Sequence, residues 1–244
     1  MTSLELAVSD RAGVEVARAV GARRVELGVA LALGGLTPSL GTLRAAVAAA
    51  GPVEVHVLVR PRGGGFRYTA DEVELCCDDV AVAVEAGADG VVVGALDDEG
   101  ELDLDVLRRL VAVADGLPVT VHRAVDVSAD PVRSVRRLAG LGVARVLSSG
   151  GAASAHQGLP TLAAMVQAAG DVAVVAGGGV RPEHVADLAA VGVEGVHASA
   201  KVFVPAGSRL SLGSATTDGV PEGHEATDLA TARRLAEAVA GVRG

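Results

Sequence analysis

The chain has 244 residues, 50% hydrophobic and 21% charged, with a formal net charge of −9. That length and apolar content suit one compact globular domain with a large core. The acidic balance, the lack of any basic run and an aromatic set limited to Phe66, Tyr68 and Phe203 argue against a nucleic-acid partner, which needs phosphate-neutralising charge and stacking rings.

The N-terminal "MTSLELAVSD" lacks the basic segment and apolar core of a secretory signal. No window approaches 18 uninterrupted apolar residues, so no membrane span is expected. Cys76 and Cys77 are adjacent, and a vicinal disulfide is strained. Two thiols do not make a secreted disulfide scaffold, so a reducing cytoplasm is the expected setting.

Eight short runs rich in Val, Leu and Ala predict strands near 4–8, 23–28, 53–59, 89–94, 118–123, 144–149, 172–177 and 194–199. They show little alternation, which suits a sheet buried on both faces. A helical stretch follows each run. Thr69 with Glu72 and Ser154 with Gln157 fit capping boxes, and Asp130 before Pro131 fits an N-cap with proline at the first helical position. Val73, Val80 and Val84 share a helical stripe with one of the cysteines, so both thiols read as small buried hydrophobes. Between Ala200 and Ala226 lies a segment of about 25 residues rich in Gly, Ser and Thr, expected to be a long functional loop, 201–225.

Strand–helix alternation over the whole length implies parallel strands and right-handed crossovers. Eight units in this length predict an α/β fold, a single (β/α)8 TIM barrel. A doubly wound sheet would need fewer units or a longer chain.

In such a barrel the chemistry sits at the carboxyl ends of the strands, where polar residues here interrupt apolar runs. Glu5 lies in strand 1, Glu26 in strand 2, and His56 and Arg60 in strand 3, with Arg62 just beyond. His122, Arg123 and Asp126 follow strand 5. Ser148 and Ser149 end strand 6, Gly177, Gly178 and Gly179 end strand 7, and His197 and Ser199 end strand 8. A carboxylate in a valine run is costly to bury unpaired, so Glu5 and Glu26 should meet Arg or His partners. Any one of these alone reads as structural; their convergence predicts a polar pocket lined by Glu5, Glu26, His56, His122 and Arg123. The glycines with Ser199 match the position where barrels hold phosphate, and Arg60, Arg62 and Arg181 would add positive charge to that face. Phe66, Tyr68 and Phe203 fall in loops on the same side, as pocket walls or a lid.

The segments "ALALGGLTPS" (30–39), "HVLVRPRGG" (56–64), "HRAVDV" (122–127) and "GGGVRPEHV" (177–185) together resemble the CutC family, named for copper homeostasis. The resemblance runs from about Leu4 to Ala200. It implies a TIM barrel that forms a homodimer or higher homo-oligomer in the cytoplasm, with a copper-handling label. Glu5, Glu26, His56, Arg60, Arg62, His122, Arg123, Asp126, Ser149 and Ser199 fall on family-like positions. Two positions depart from the family pattern. Gly28 stands where the family reads cysteine in "IELC", the thiol through which some members are thought to bind copper, and Gly65 replaces an acid. Because Cu(I) prefers soft thiolate or thioether ligands, no metal ligand is assigned, and copper is a cofactor by family label only. Two readings stay open. One is a copper-homeostasis protein that binds copper without turnover. The other is a metal-independent lyase, aldolase or isomerase acting on a small anionic molecule, phosphorylated or not. Glu26 or Glu5 would be its base, His56 or His122 its proton shuttle, and the arginines its charge clamp. Lys201 would contact the anion.

Overall fold

In the computed structural model, which describes residues 2–205 and 223–242, eight parallel strands alternate with helices around a closed ring. They run β1 (Ser3–Val8), α1 (Arg11–Ala19), β2 (Arg24–Leu27), α2 (Leu40–Ala50), β3 (Glu54–Leu58), α3 (Ala70–Glu85), β4 (Gly90–Val93) and α4 (Leu104–Val113). The second half continues with β5 (Val119–Val121), α5 (Pro131–Leu138), β6 (Val143–Ser148), α6 (Leu159–Ala168), β7 (Ala173–Gly177), α7 (Val185–Ala190) and β8 (Gly195–Ala198), and α8 (Leu229–Gly241) comes last. β8 pairs with β1, Glu5 opposite His197, and closes the barrel. The doubly wound alternative is thereby ruled out.

Local chemistry sets the helix starts. Asp10 caps α1 by accepting from the Gly13 amide at 2.7 Å. Thr69 and Glu72 form the expected capping box of α3, and Asp130 caps α5 with Pro131 in its first turn. The Ser154–Gln157 box does not open a helix. Those residues make a turn, and α6 begins at Leu159 after Gly158, because the chain must first wrap over the Gly178 carbonyl, which accepts from the Ala155 amide.

The strand faces divide sharply. Leu4, Leu6, Val8, Val25, Leu27, Val55 and Val57 alternate outward into one continuous apolar cluster with the helices. Burying that face drives closure. Many of the inward residues are polar (Ser3, Glu5, Arg24, Glu26, Glu54, His56, Thr120 and Arg145), with Ala7, Leu58 and Leu147 apolar positions nearer the mouth. The strands therefore alternate after all, with the charges inside the barrel.

Part of the expected loop at 201–225 is a two-stranded antiparallel ribbon, β9 (Lys201–Pro205) and β10 (Gly223–Thr227). The rest, 206–222, lies outside the described residues. No described helix is long and apolar enough to cross a membrane.

Candidate functional site: a two-storey barrel interior

A cavity of about 800 Å³ opens at the carboxyl ends of the strands. That volume suits a small molecule. Ala7 forms part of its floor, and the small side chain there lets Glu26 of β2 and His197 of β8 approach from the two neighbouring strands.

Glu26 is buried, and its Oε2 has no hydrogen-bond partner. Burial is the main influence on its acidity and raises its pKa above the usual carboxylate value; nearby His197 opposes this without cancelling it. One level down, Glu5 accepts from His197 Nδ1 at 2.6 Å and from Arg24 Nη1 at 3.2 Å. Burial would raise Glu5, but the hydrogen bond and charge of His197, with Arg24, hold it at about 2. His197 is in turn raised: burial works against its charge, and Glu26 and Glu5 outweigh it. The three groups make a line from cavity to core, with a proton-binding carboxyl at the wet end and a fixed carboxylate at the dry end.

His122 forms another wall, its ring centroid 4.8 Å from that of Phe66. A Cβ at Gly94 would overlap its ring, so that glycine makes its seat; Gly90 does the same for His56. Burial, then the charge of Arg60, drive the His122 pKa down to about 3. Its Nδ1 accepts from the Ala124 amide at 3.1 Å, so the neutral ring carries its proton on Nε2. That Nε2 is buried without a partner.

The corner between β6 and β7 is built around Asp126. Its carboxylate accepts from Ser148 Oγ at 2.5 Å, from the Ser149 amide at 3.0 Å and from Arg123 Nε at 2.6 Å. Asp126 thus positions Arg123, and Arg123 Nη2 reaches Ser149 Oγ at 2.9 Å. Gly178 and Gly179 have φ of +108° and +64°, the left-handed region that glycine enters without penalty. A Cβ on Gly178 would stand 3.2 Å from the Arg123 guanidinium. Gly178, Gly179, Arg123, Arg181 and Ser199 all face the cavity.

The structure thus brings Glu26, Arg60, His122, Arg123, Gly178, Gly179 and Ser199 to one mouth. It puts others elsewhere. Glu5 lies beneath the mouth. His56, mid-strand and two residues below the mouth-facing Leu58, belongs to a lower network: Arg145 Nη2 sits 3.1 Å from its Nδ1, and burial with Arg145 lowers its pKa to about 4. Arg62 turns away to Glu72 and to loop carbonyls, because that carboxylate lies within its reach. Ser148 is buried under the corner, where its Oγ also approaches Met165 Sδ, and Gly177 is packed in the strand against His197 and Leu147. Among the aromatics only Phe66 is a wall. Tyr68 packs against the core beneath Arg62, and Phe203 lies exposed on the ribbon. His197, read from its strand ending, joins the mouth, whereas Arg24, Arg145 and Arg234 are the residues a search of strand endings passes over. Two-residue alternation within β2 places Arg24 on the same inward face as Glu26.

Glu5, Glu26 and His197 each offer a donor atom within 4.8 Å of the others. Both oxygens of Glu5 are already engaged, and the donors are carboxylate and imidazole rather than sulfur. Cys76 and Cys77 are buried in α3, and burial pushes the Cys76 thiol up to about 12, which disfavours the thiolate that copper needs. These residues do not fit a Cu(I) site.

Fold and mouth together define a TIM-barrel protein with a buried acid–base group under a cationic rim. Within that class the chain belongs to the CutC family, which it matches over residues 2–202. It is 48% identical to a CutC family protein of Xylella fastidiosa over 205 residues, 83% of this chain and 76% of the relative. A CutC family protein of Xanthomonas axonopodis is 46% identical over 83% of this chain and 85% of its own. The crystal structure of the CutC protein of Streptococcus agalactiae, named for copper homeostasis, superposes with a TM-score of 0.74 at 29% identity, covering 82% of this chain and 99% of that one.

Proposed function

We propose that the mouth binds a small anionic molecule and that Glu26 and His197 move a proton on it. The observation that carries this reading is the charge of the lining. Among the described residues, Arg60, Arg123, Arg181, Lys201 and Arg234 face the cavity against only Glu26 and Glu183, in a chain whose net charge is −9. Concentrating cations in a concave, low-dielectric mouth focuses field onto an anion.

A carboxyl whose pKa is raised by burial holds a proton more readily than an ordinary carboxylate and can both take and return it. Glu26 has a free oxygen for that purpose. His197, held by Glu5, is the complementary acid, and Glu5 is a positioning residue that fixes the ring. Arg123 and the glycine amides would hold the anionic group while charge develops beside Glu26. Proton transfer of this kind belongs to lyase, aldolase or isomerase chemistry. The Lys201 ammonium is held by Glu225 at 2.6 Å, which favours a rim contact over a covalent role. The adjacent free thiols favour a cytoplasmic setting.

Inorganic phosphate tests the anion step. At matched ionic strength, a hundredfold excess over the dissociation constant should raise unfolding stability by about 2.7 kcal/mol. Gly178→Val should lose that gain while keeping a cooperative unfolding transition. No gain in the parent protein, or an equal gain in the variant, would refute the reading.

A further inference from the structure

Arg60 and the Gly178–Gly179 corner stand on opposite sides of the mouth, because β3 and β7 are four strands apart either way around the eight-stranded ring. The Arg60 side is unusual in its charge balance. The side chain is 5% exposed, and its guanidinium donates only to carbonyl oxygens: Leu33 at 2.8 Å, Gly35 at 2.9 Å and Gly64 at 2.7 Å. Among the described residues it forms no ion pair with a carboxylate. Carbonyls take hydrogens from both Nη atoms, but Nε is buried without a partner and the charge is uncompensated, and a guanidinium does not shed its proton.

The deeply buried Arg24 gives the contrast, with Glu5, Glu54 and Glu194 all within ion-pair distance. Beside Arg60 stands a second donor without an acceptor, the Nε2–H of His122, assigned to that nitrogen because Nδ1 already accepts from Ala124. Phe66 packs against both, 5.0 Å from the Arg60 Cζ and 4.8 Å from the His122 ring. A permanent cation, an orphan N–H and an aromatic wall make a second anion site, small enough for a carboxylate.

We propose that the natural ligand is a bis-anion, with an oxyanion such as phosphate at Arg123, Gly178, Gly179 and Ser199 and a carboxylate at Arg60 and His122, a few carbons apart. Its reacting carbon then lies between the poles, within reach of Glu26 and His197. The inference rests on the anion reading above and narrows it to phosphorylated carboxylic acids.

Calorimetric titration with matched probes separates the two claims. n-Alkyl phosphates of two to five carbons carry one anionic group, and ω-carboxyalkyl phosphates of the same lengths carry two. At one chain length the carboxylate should tighten binding about tenfold or more, the worth of a charged hydrogen bond. His122→Asn keeps an acceptor for the Ala124 amide and removes Nε2–H; Arg60→Met removes the charge. In each variant the affinity ratio of carboxyalkyl to alkyl phosphate at one chain length should fall to about one, with the His122 variant decisive if Arg60→Met, which also removes a rim cation, weakens both probes or disturbs the loops it ties. If alkyl phosphates bind but the carboxylate adds nothing at any length, or its gain survives in His122→Asn, the second pole is overturned and the phosphate site stands. If no phosphate binds the parent protein, the anion reading itself falls.

Discussion

The barrel interior holds two sets of charged side chains at the same kind of inward strand position, and the two are finished differently. In the lower half, Arg24 meets Glu5, Glu54 and Glu194, while Arg145 meets His56 and Thr120. In the upper half, Arg60 has no carboxylate, Glu26 Oε2 has no donor and His122 Nε2 has no acceptor. The lower set is tied mainly to itself, though Arg24 Nη2 and Glu194 Oε2 also lack hydrogen-bond partners; the upper set lines the cavity, where a ligand can complete it. Residue type and burial do not separate structure from function in this protein. Access to the cavity does.

The largest test of that division is Arg24→Met. It strands Glu5 and its neighbours without a counter-charge and should cost about 3–5 kcal/mol in urea unfolding. A cost below about 1 kcal/mol would mean the lower network does not hold the fold. Acid comes next. Unfolded histidine takes a proton below about pH 6.5, but folded His56 and His122 resist until about 4 and about 3. Their contribution is complete above 6.5 and lost as pH falls through that window, on the order of 1 kcal/mol per pH unit for each. Glu5 adds a further loss between 4.5 and about 2. His197, raised instead, works the other way, with its contribution full below 6.5 and fading at higher pH. His122→Gln should flatten the slope between pH 6.5 and 4; an unchanged slope would show that its ring is not held neutral.

Gly94→Ala follows, at about 1–3 kcal/mol for overpacking, because the added Cβ meets the His122 ring. Phosphate binding should survive it, since Gly178, Gly179 and Ser199 follow β7 and β8, three and four strands from β4. Glu26→Gln should be smallest, within about 1 kcal/mol, because no partner of its Oε2 is lost. A cost as large as that of Arg24→Met would erase the distinction between the two halves.

The fold was legible because eight Val-rich runs at regular spacing, with caps at Thr69 and Asp130, admit few arrangements. The mouth was legible in part. Glu26, Arg60, His122 and Arg123 sit at or near strand ends, where chain order already gives depth. Depth within a strand was harder to read. His56 and Glu5 look like their mouth neighbours in sequence, yet they sit a layer lower, where register across strands decides the partner. Arg62 carries the same charge as Arg60 two residues away, but a carboxylate from α3 claims it. Gly90 and Gly94 carry no side chain to draw attention in the sequence, yet they are the seats of two imidazoles, a relation visible only once β3, β4 and β5 lie side by side.

Site-resolved carbon NMR of glutamate side chains, titrated with acid, tests the central contrast most directly. Glu26 should take up its proton above pH 4.5, while Glu5, one level below it, stays ionised until about pH 2. Saturating phosphate should then move the Glu26 titration and leave Glu5 in place. If Glu26 titrates at or below 4.5, or both carboxyls respond to phosphate alike, the mouth is no less complete than the network beneath it.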